Sequence, residues 1–170
     1  ERELFYDVLL ENRFLPKAQH EQRKYPTQNR PLWQNVYNSY PKTIDGSNDL
    51  TALEVSLQIG GQVKTEFEKG SFKNACAIRV SMALNGAGIH VPNVPNKTWT
   101  GADGKNYFRM SSDLFKFLFD TFGEPDIIKT KADGGIGGLN FPSQLISIHN
   151  RGIYLMEADS YQVFGAEGHA

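Results

Sequence analysis

Gly70-Ser71-Phe72-Lys73-Asn74-Ala75-Cys76-Ala77-Ile78-Arg79-Val80-Ser81-Met82-Ala83-Leu84-Asn85 reads as a loop turning into a helix. Asn74 is a strong N-cap residue, residues 75–84 are mostly good helix formers, and Asn85-Gly86-Ala87-Gly88 supplies the left-handed residues that end helices. The pattern places Cys76, the chain's one cysteine, in the first turn. A lone thiol has no internal disulfide partner, and a helix N-terminus favours thiolate over thiol. Residue chemistry alone leaves two readings open, a nucleophile and a small buried apolar side chain.

Downstream, residues 89–110 carry three turn signals and then a short strand, Asn106-Tyr107-Phe108-Arg109-Met110. Ser111 or Ser112 is expected to cap a helix bearing Leu114, Phe115, Phe117, Leu118, Phe119 and Phe122, apolar almost all round and therefore well buried. Residues 132–138 form a Gly-rich loop, 142–149 a short helix, and 153–156 a strand. Upstream, Pro31 suits the first turn of a helix carrying Leu32, Trp33, Val36, Tyr37 and Tyr40 and stopped by Pro41, its aromatic stripe read as packed core. Asp45-Gly46-Ser47-Asn48 is a turn. Leu50, Leu53, Val55, Leu57 and Ile59 favour a helix over a strand, broken by Gly60-Gly61, and residues 63–67 form a further short element.

With 170 residues and 39% hydrophobic content the chain bounds one domain with a real core. Residues 1–30 read as an N-terminal extension: Leu4-Phe5 and Val8-Leu9-Leu10 suggest a short amphipathic helix, and residues 17–30 a linker or an arm lying over the surface. The 18 basic and 19 acidic residues nearly cancel without long runs, which argues against a nucleic-acid partner, and no apolar stretch has the length of a membrane span. No fixed-period repeat recurs.

A cysteine nucleophile needs a neighbouring base and donors for the oxyanion formed on attack at a carbonyl. A backbone N–H at the helix start suits the second need. The base must come from His20, His90, His149 or His169, and spacing does not choose among them. His20, His90 and His149 lack metal-ligand spacing, so no metal site is expected, and the chemistry considered for Cys76 calls for no cofactor. Gly134-Gly135-Ile136-Gly137-Gly138 lacks the residues of a nucleotide loop. Arg79, one turn after Cys76, has two readings, a contact for a substrate carboxylate and an ordinary helix salt bridge. Asp126 and Asp159 read as solvated surface carboxylates.

The segment around Cys76 resembles the nucleophile segment of the fourth family of type VI secretion amidase effectors. Two later segments agree in order and spacing. Residues 100–126, from Thr100-Gly101-Ala102-Asp103-Gly104 to Phe122-Gly123-Glu124-Pro125-Asp126, are similar to the family's middle. Gly152-Ile153-Tyr154-Leu155-Met156 and Gly165-Ala166-Glu167-Gly168-His169-Ala170 are similar to its later strand and Gly-His motif. Residues 31–72 match more loosely.

The resemblance implies an α+β, papain-like cysteine amidase over residues 31–170, with the nucleophile at a helix N-terminus packed on a small antiparallel sheet. It implies cleavage of bacterial peptidoglycan stem peptides, between D-glutamate and meso-diaminopimelate, in a rival cell's periplasm after delivery by a secretion-apparatus carrier. It also implies inhibition by a cognate immunity protein. Carried over by motif, Cys76 is the nucleophile and His169 its base. The acidic third member of the triad is expected beyond Ala170, so the amidase domain reads as lacking its C-terminal end. The alternative is a catalytically incomplete domain that binds peptidoglycan or an immunity protein without turnover.

Overall fold

The structure, a computed structural model, describes residues 6–10, 24–130, 133, 139–149, 151–157 and 168–169, with the backbone alone at 6–10, 130, 141, 157, 168 and 169. In chain order the elements are β1 (Tyr6–Leu10), α1 (Trp33–Ser39), α2 (Ala52–Ile59), α3 (Gly61–Glu68), α4 (Cys76–Gly86), β2 (Thr98–Thr100), β3 (Asn106–Phe108), α5 (Ser111–Phe122), β4 (Ile127–Thr130), α6 (Phe141–Ser147), β5 (Ile153–Glu157) and β6 (Gly168–His169). The class is α+β, as expected.

A four-stranded sheet runs in the order β4-β1-β5-β6, and β2 and β3 form a separate antiparallel pair. The larger sheet is antiparallel where β5 meets β6, with Met156 opposite His169, and parallel where β1 joins β4 and β5. β1 is a correction to the helix expected near the N-terminus. A short apolar run such as Val8-Leu9-Leu10 has no periodicity that separates helix from strand, and a parallel strand in the middle of a sheet reads as such a run.

α4 owes its central place to near-complete burial. Ala77, Val80, Ala83 and Leu84 enter one core with Phe108, Leu114, Phe117, Leu118, Ile153 and Leu155. Ala75 and Ile78 enter a second with Val55, Ile59, Val63, Trp99 and Tyr107. The one polar side chain deep in this helix, Ser81, is fully used: its hydroxyl donates to Ala77 O at 2.8 Å and accepts from Phe108 N–H at 3.0 Å. A buried hydroxyl without partners would cost more than such a bond contributes. α5 fills the space against β5 and β6, and Leu114, Phe117 and Leu118 are fully buried. The helix starts at Ser111, so the N-cap position falls to Met110 and not to either serine, and no side chain caps it.

The stretch after Asp49 is helical. Thr51 and Glu54 form a reciprocal capping box, and Val55, Ile59 and Val63 recur at four-residue spacing into the core. Gly60 and Gly61, at φ 66° and 57°, break α2 from α3. A Cβ on Gly61 would stand 2.5 Å from Ala102 N, which itself donates to Ile59 O at 3.0 Å. The break therefore seats the turn between β2 and β3.

Residues 24–30 are an arm tied to the body. Tyr25 is buried edge-on to Phe117 at 5.4 Å and to Phe108 at 6.5 Å. Gln28 pairs twice with the backbone of His90, accepting from its N–H at 2.9 Å and donating to its O at 3.0 Å. Arg30 meets Asp126 at 2.6 Å, which corrects the reading of Asp126 as a solvated carboxylate. Asp159 and the glycines of residues 134–138 lie outside the described residues. The arm leads into α1, which lies across α4 so closely that a Cβ on Gly86 would come within 2.5 Å of Ser39 Cβ.

Candidate active site

Cys76 is the first residue of α4, one position earlier than the sequence pattern places it in the helix, with Ala75 at the N-cap position. Asn74 still acts at this terminus, because its Oδ1 accepts the Cys76 N–H at 3.1 Å. The thiol is buried but retains 7% exposure, and it sits where the start of α4 divides the two cores, belonging to neither.

Val80 and Ala83 continue the Cys76 face along α4, at the i+4 and i+7 spacing of one helical stripe. They form the floor of a cavity of about 680 Å³. α1 supplies one wall with Trp33, Tyr37 and Tyr40, and Tyr154 of β5 stands on the other side. The aromatic stripe of α1 is thus only partly core: Val36 is buried, Trp33 and Tyr40 are half-buried, and Tyr37 is 45% exposed at the cavity. Helical spacing shows that these rings share a side of α1 but not what that side faces.

Lys42 and Asp49 also line the cavity. The Tyr40 hydroxyl donates to Asp49 Oδ2 at 3.1 Å. Burial, and then the Asp49 carboxylate, push the Tyr40 hydroxyl well above its ordinary range; Arg79 pulls it down, and Cys76 adds to the rise. Tyr40 thus stays a protonated donor across the physiological range, within electrostatic reach of the thiol. Arg79 is half-buried, with its Nε donating to Leu50 O at 2.8 Å. Among the described residues it forms no helix salt bridge.

The backbone of His169 lies in β6, opposite Met156 and so two residues along from Tyr154 of the cavity rim; its side chain is outside the described residues. His90 is fixed by its backbone to Gln28 with the ring exposed, His149 is exposed after α6, and His20 is not described. Among the described residues no three metal-ligating side chains cluster, and no helix is long and apolar enough to cross a membrane. The sequence reading missed the cavity, Tyr40 and the Lys42/Asp49 pair. Tyr40-Pro41-Lys42 was readable as a helix stop, but nothing local shows that its side chains meet the Asp49 turn.

Comparison with solved structures places this geometry among known proteins. The chain is similar to the type VI effector Tae4 from Enterobacter cloacae, at 34% identity and TM-score 0.52 over 59% of this chain and 61% of that one. It is similar to the Tae4–Tai4 effector–immunity complex from the same organism, at 35% identity and TM-score 0.51 over 58% and 59%. A third similarity is to Tae4 from Salmonella typhimurium in complex with the immunity protein Tai4 from Enterobacter cloacae, at 32% identity and TM-score 0.50 over 57% and 58%. The chain therefore spans less than two thirds of the length of these structures. No curated protein matches it. Residues 72–170, which hold Cys76, the Val80/Ala83 floor, β5 and the Gly168-His169 strand, match the family described as type VI secretion system (T6SS) amidase effector protein 4, Tae4, and the chain belongs to that family.

Proposed function

We propose that this chain is a cysteine amidase that cleaves bacterial peptidoglycan stem peptides at the D-glutamyl to meso-diaminopimelate bond. The observation that carries the reading is Cys76 at the first position of α4, one turn before Val80 of the cavity floor though not itself in the cavity's lining, and within the family-matched segment. In this reading Cys76 Sγ attacks the amide carbonyl, and His169 takes the thiol proton and returns it to the departing amine. A water activated through His169 then opens the thioester, releasing a carboxylate and restoring the thiol. Arg79, anchored at Leu50 O by one of its donors, has further guanidinium N–H groups for a substrate carboxylate.

The family membership supports a role as an antibacterial effector carried by type VI secretion into a rival's periplasm, and the Tae4–Tai4 complexes support a cognate immunity protein as partner. The decisive experiment incubates the protein with purified peptidoglycan and counts new amines. Cys76→Ala is expected to abolish their release while the melting curve stays in place, and undiminished cleavage would overturn the mechanism.

A further inference from the structure

Lys42 and Asp49 stand directly opposite each other in the antiparallel bridge that follows α1. Thr43 N–H donates to Asn48 O at 2.8 Å and Leu50 N–H to Pro41 O at 3.1 Å, so the pair occupies a non-hydrogen-bonded position, where side chains share a face and stand closest. Opposite charges so placed ordinarily join. These do not: among the described residues neither side chain has a counter-ion. Lys42 Nζ turns instead to the carbonyls of Tyr37 and Tyr40 and lies 4.3 Å over the Tyr37 ring. Asp49 turns to the Tyr40 hydroxyl.

Each charge is thus held open by α1. An ammonium has three donors, and the two carbonyls engage two of them; a carboxylate has about four acceptor sites, and the hydroxyl uses one. The cavity between them has aromatic walls and one site of each sign. Its floor begins at Val80, one helical turn or about 6 Å beyond Cys76, which is within reach of a three-methylene chain.

We propose that this split pair is the specificity subsite of the cavity, with Asp49 taking the ammonium and Lys42 the carboxylate of one zwitterionic amino-acid centre of the substrate. The identity of that centre rests on the amidase reading: the distal carbon of meso-diaminopimelate carries both groups and lies a three-methylene chain away from the scissile amide. The chemistry of the subsite rests on the cavity alone.

Binding to the full chain carrying Cys76→Ala, which cannot turn over, tests it by calorimetry. The ligands are L-alanyl-γ-D-glutamyl-meso-diaminopimelate, the same peptide amidated at the distal carboxyl, and the same peptide acetylated at the distal amine. The parent is expected to prefer the unmodified peptide over either derivative by about tenfold, one charge-assisted contact each. Adding Lys42→Met should erase the preference over the amide but keep that over the acetyl form. Asp49→Asn should do the reverse, and Lys42→Arg should keep both.

Because Lys42 also holds the end of α1, a merely structural role would weaken all three ligands alike, and that result overturns the proposal. So does equal binding of the three ligands by the parent, or no binding at all. If the preference holds but the Cys76 protein leaves peptidoglycan uncut, the amidase reading fails and the subsite stands. If peptidoglycan is cut and the preference is missing, the subsite fails alone.

Discussion

Asn74 lies outside α4, yet it decides how the helix begins. Its Oδ1 takes the Cys76 N–H, one of the four donors that every helix start leaves without an internal partner. Because Ala75 has no side chain able to do this, the duty passes back one residue. Asn74→Ala should therefore cost about 1 kcal/mol in urea unfolding, the usual loss for a helix-start acceptor, whereas Asn74→Asp, which keeps the acceptor, should cost less. On the mechanism proposed above, an oxyanion forming at Cys76 would meet an N–H already shared with Asn74. Cys76 itself was readable from its surrounding sequence, since cap, helix formers and terminator are all local. The tyrosine beside it was not, because Tyr40 reaches the site only through the way α1 crosses α4.

At the scale of elements, the seam between α1 and α4 rests on Gly86. Alanine there would gain up to about 1 kcal/mol in helix propensity. It would also drive a methyl group to within 2.5 Å of Ser39 Cβ, an atom fixed close to the backbone. Overpacking of that kind costs about 1–3 kcal/mol, so the clash outweighs the propensity. Gly86→Ala should lower stability by roughly 1 kcal/mol in net and shift α1, with a change in the fluorescence of Trp33 on the cavity wall. The arm is equally integral. Tyr25→Ala removes a ring packed on Phe108 and Phe117 and should cost about 3 kcal/mol in chemical denaturation, near the lower bound for a buried aromatic; a loss under about 1 kcal/mol would mean the arm merely rests on the surface.

These elements differ in how visible they were beforehand. α4, α5 and β5 declare themselves through patterns contained within their own residues. β1, β2 and β4 do not, because each is too short for a period of its own: β2 becomes a strand by pairing with nearby β3, and β1 and β4 by pairing with each other across most of the described chain. Tyr25 is a single aromatic in polar text, and only the Phe108/Phe117 cleft makes it core.

For the molecule as a whole, alkaline titration follows from three phenols, Tyr25, Tyr40 and Tyr107, each raised first of all by burial. Burial, and after it the Asp103 and Asp49 carboxylates, hold Tyr107 and Tyr40 above their ordinary value of 10.0. A phenol with a raised folded pKa keeps its proton after the unfolded chain has begun to lose it. The unfolded state then binds fewer protons, and stability falls as pH rises. The contribution is complete below about pH 10 and declines above it. On the acid side the sign reverses. Thr43 and Ser47 hold Asp45 at about 2, and the Thr51 cap lowers Glu54, so stability present above their ordinary values of 3.8 and 4.5 is lost as pH falls. Thermal midpoints should therefore form a plateau with two falling limbs. Tyr107→Phe should make the alkaline limb shallower and leave the acid limb unchanged, and an unaltered alkaline limb would show that Tyr107 does not contribute to it.

The place of β1 in the sheet also sets an order of events for the growing chain. Its partners on either side are β4 and β5, and Asp7 pairs with Ile127 and with Tyr154. A ribosome must therefore reach residue 127 before β1 meets either neighbour. Contacts so distant in sequence slow folding, because a long loop must close before any pairing rewards it. Until residues 127–130 have been made, β1 has no neighbour in this sheet, and its backbone donors and acceptors stay open to water or to other chains.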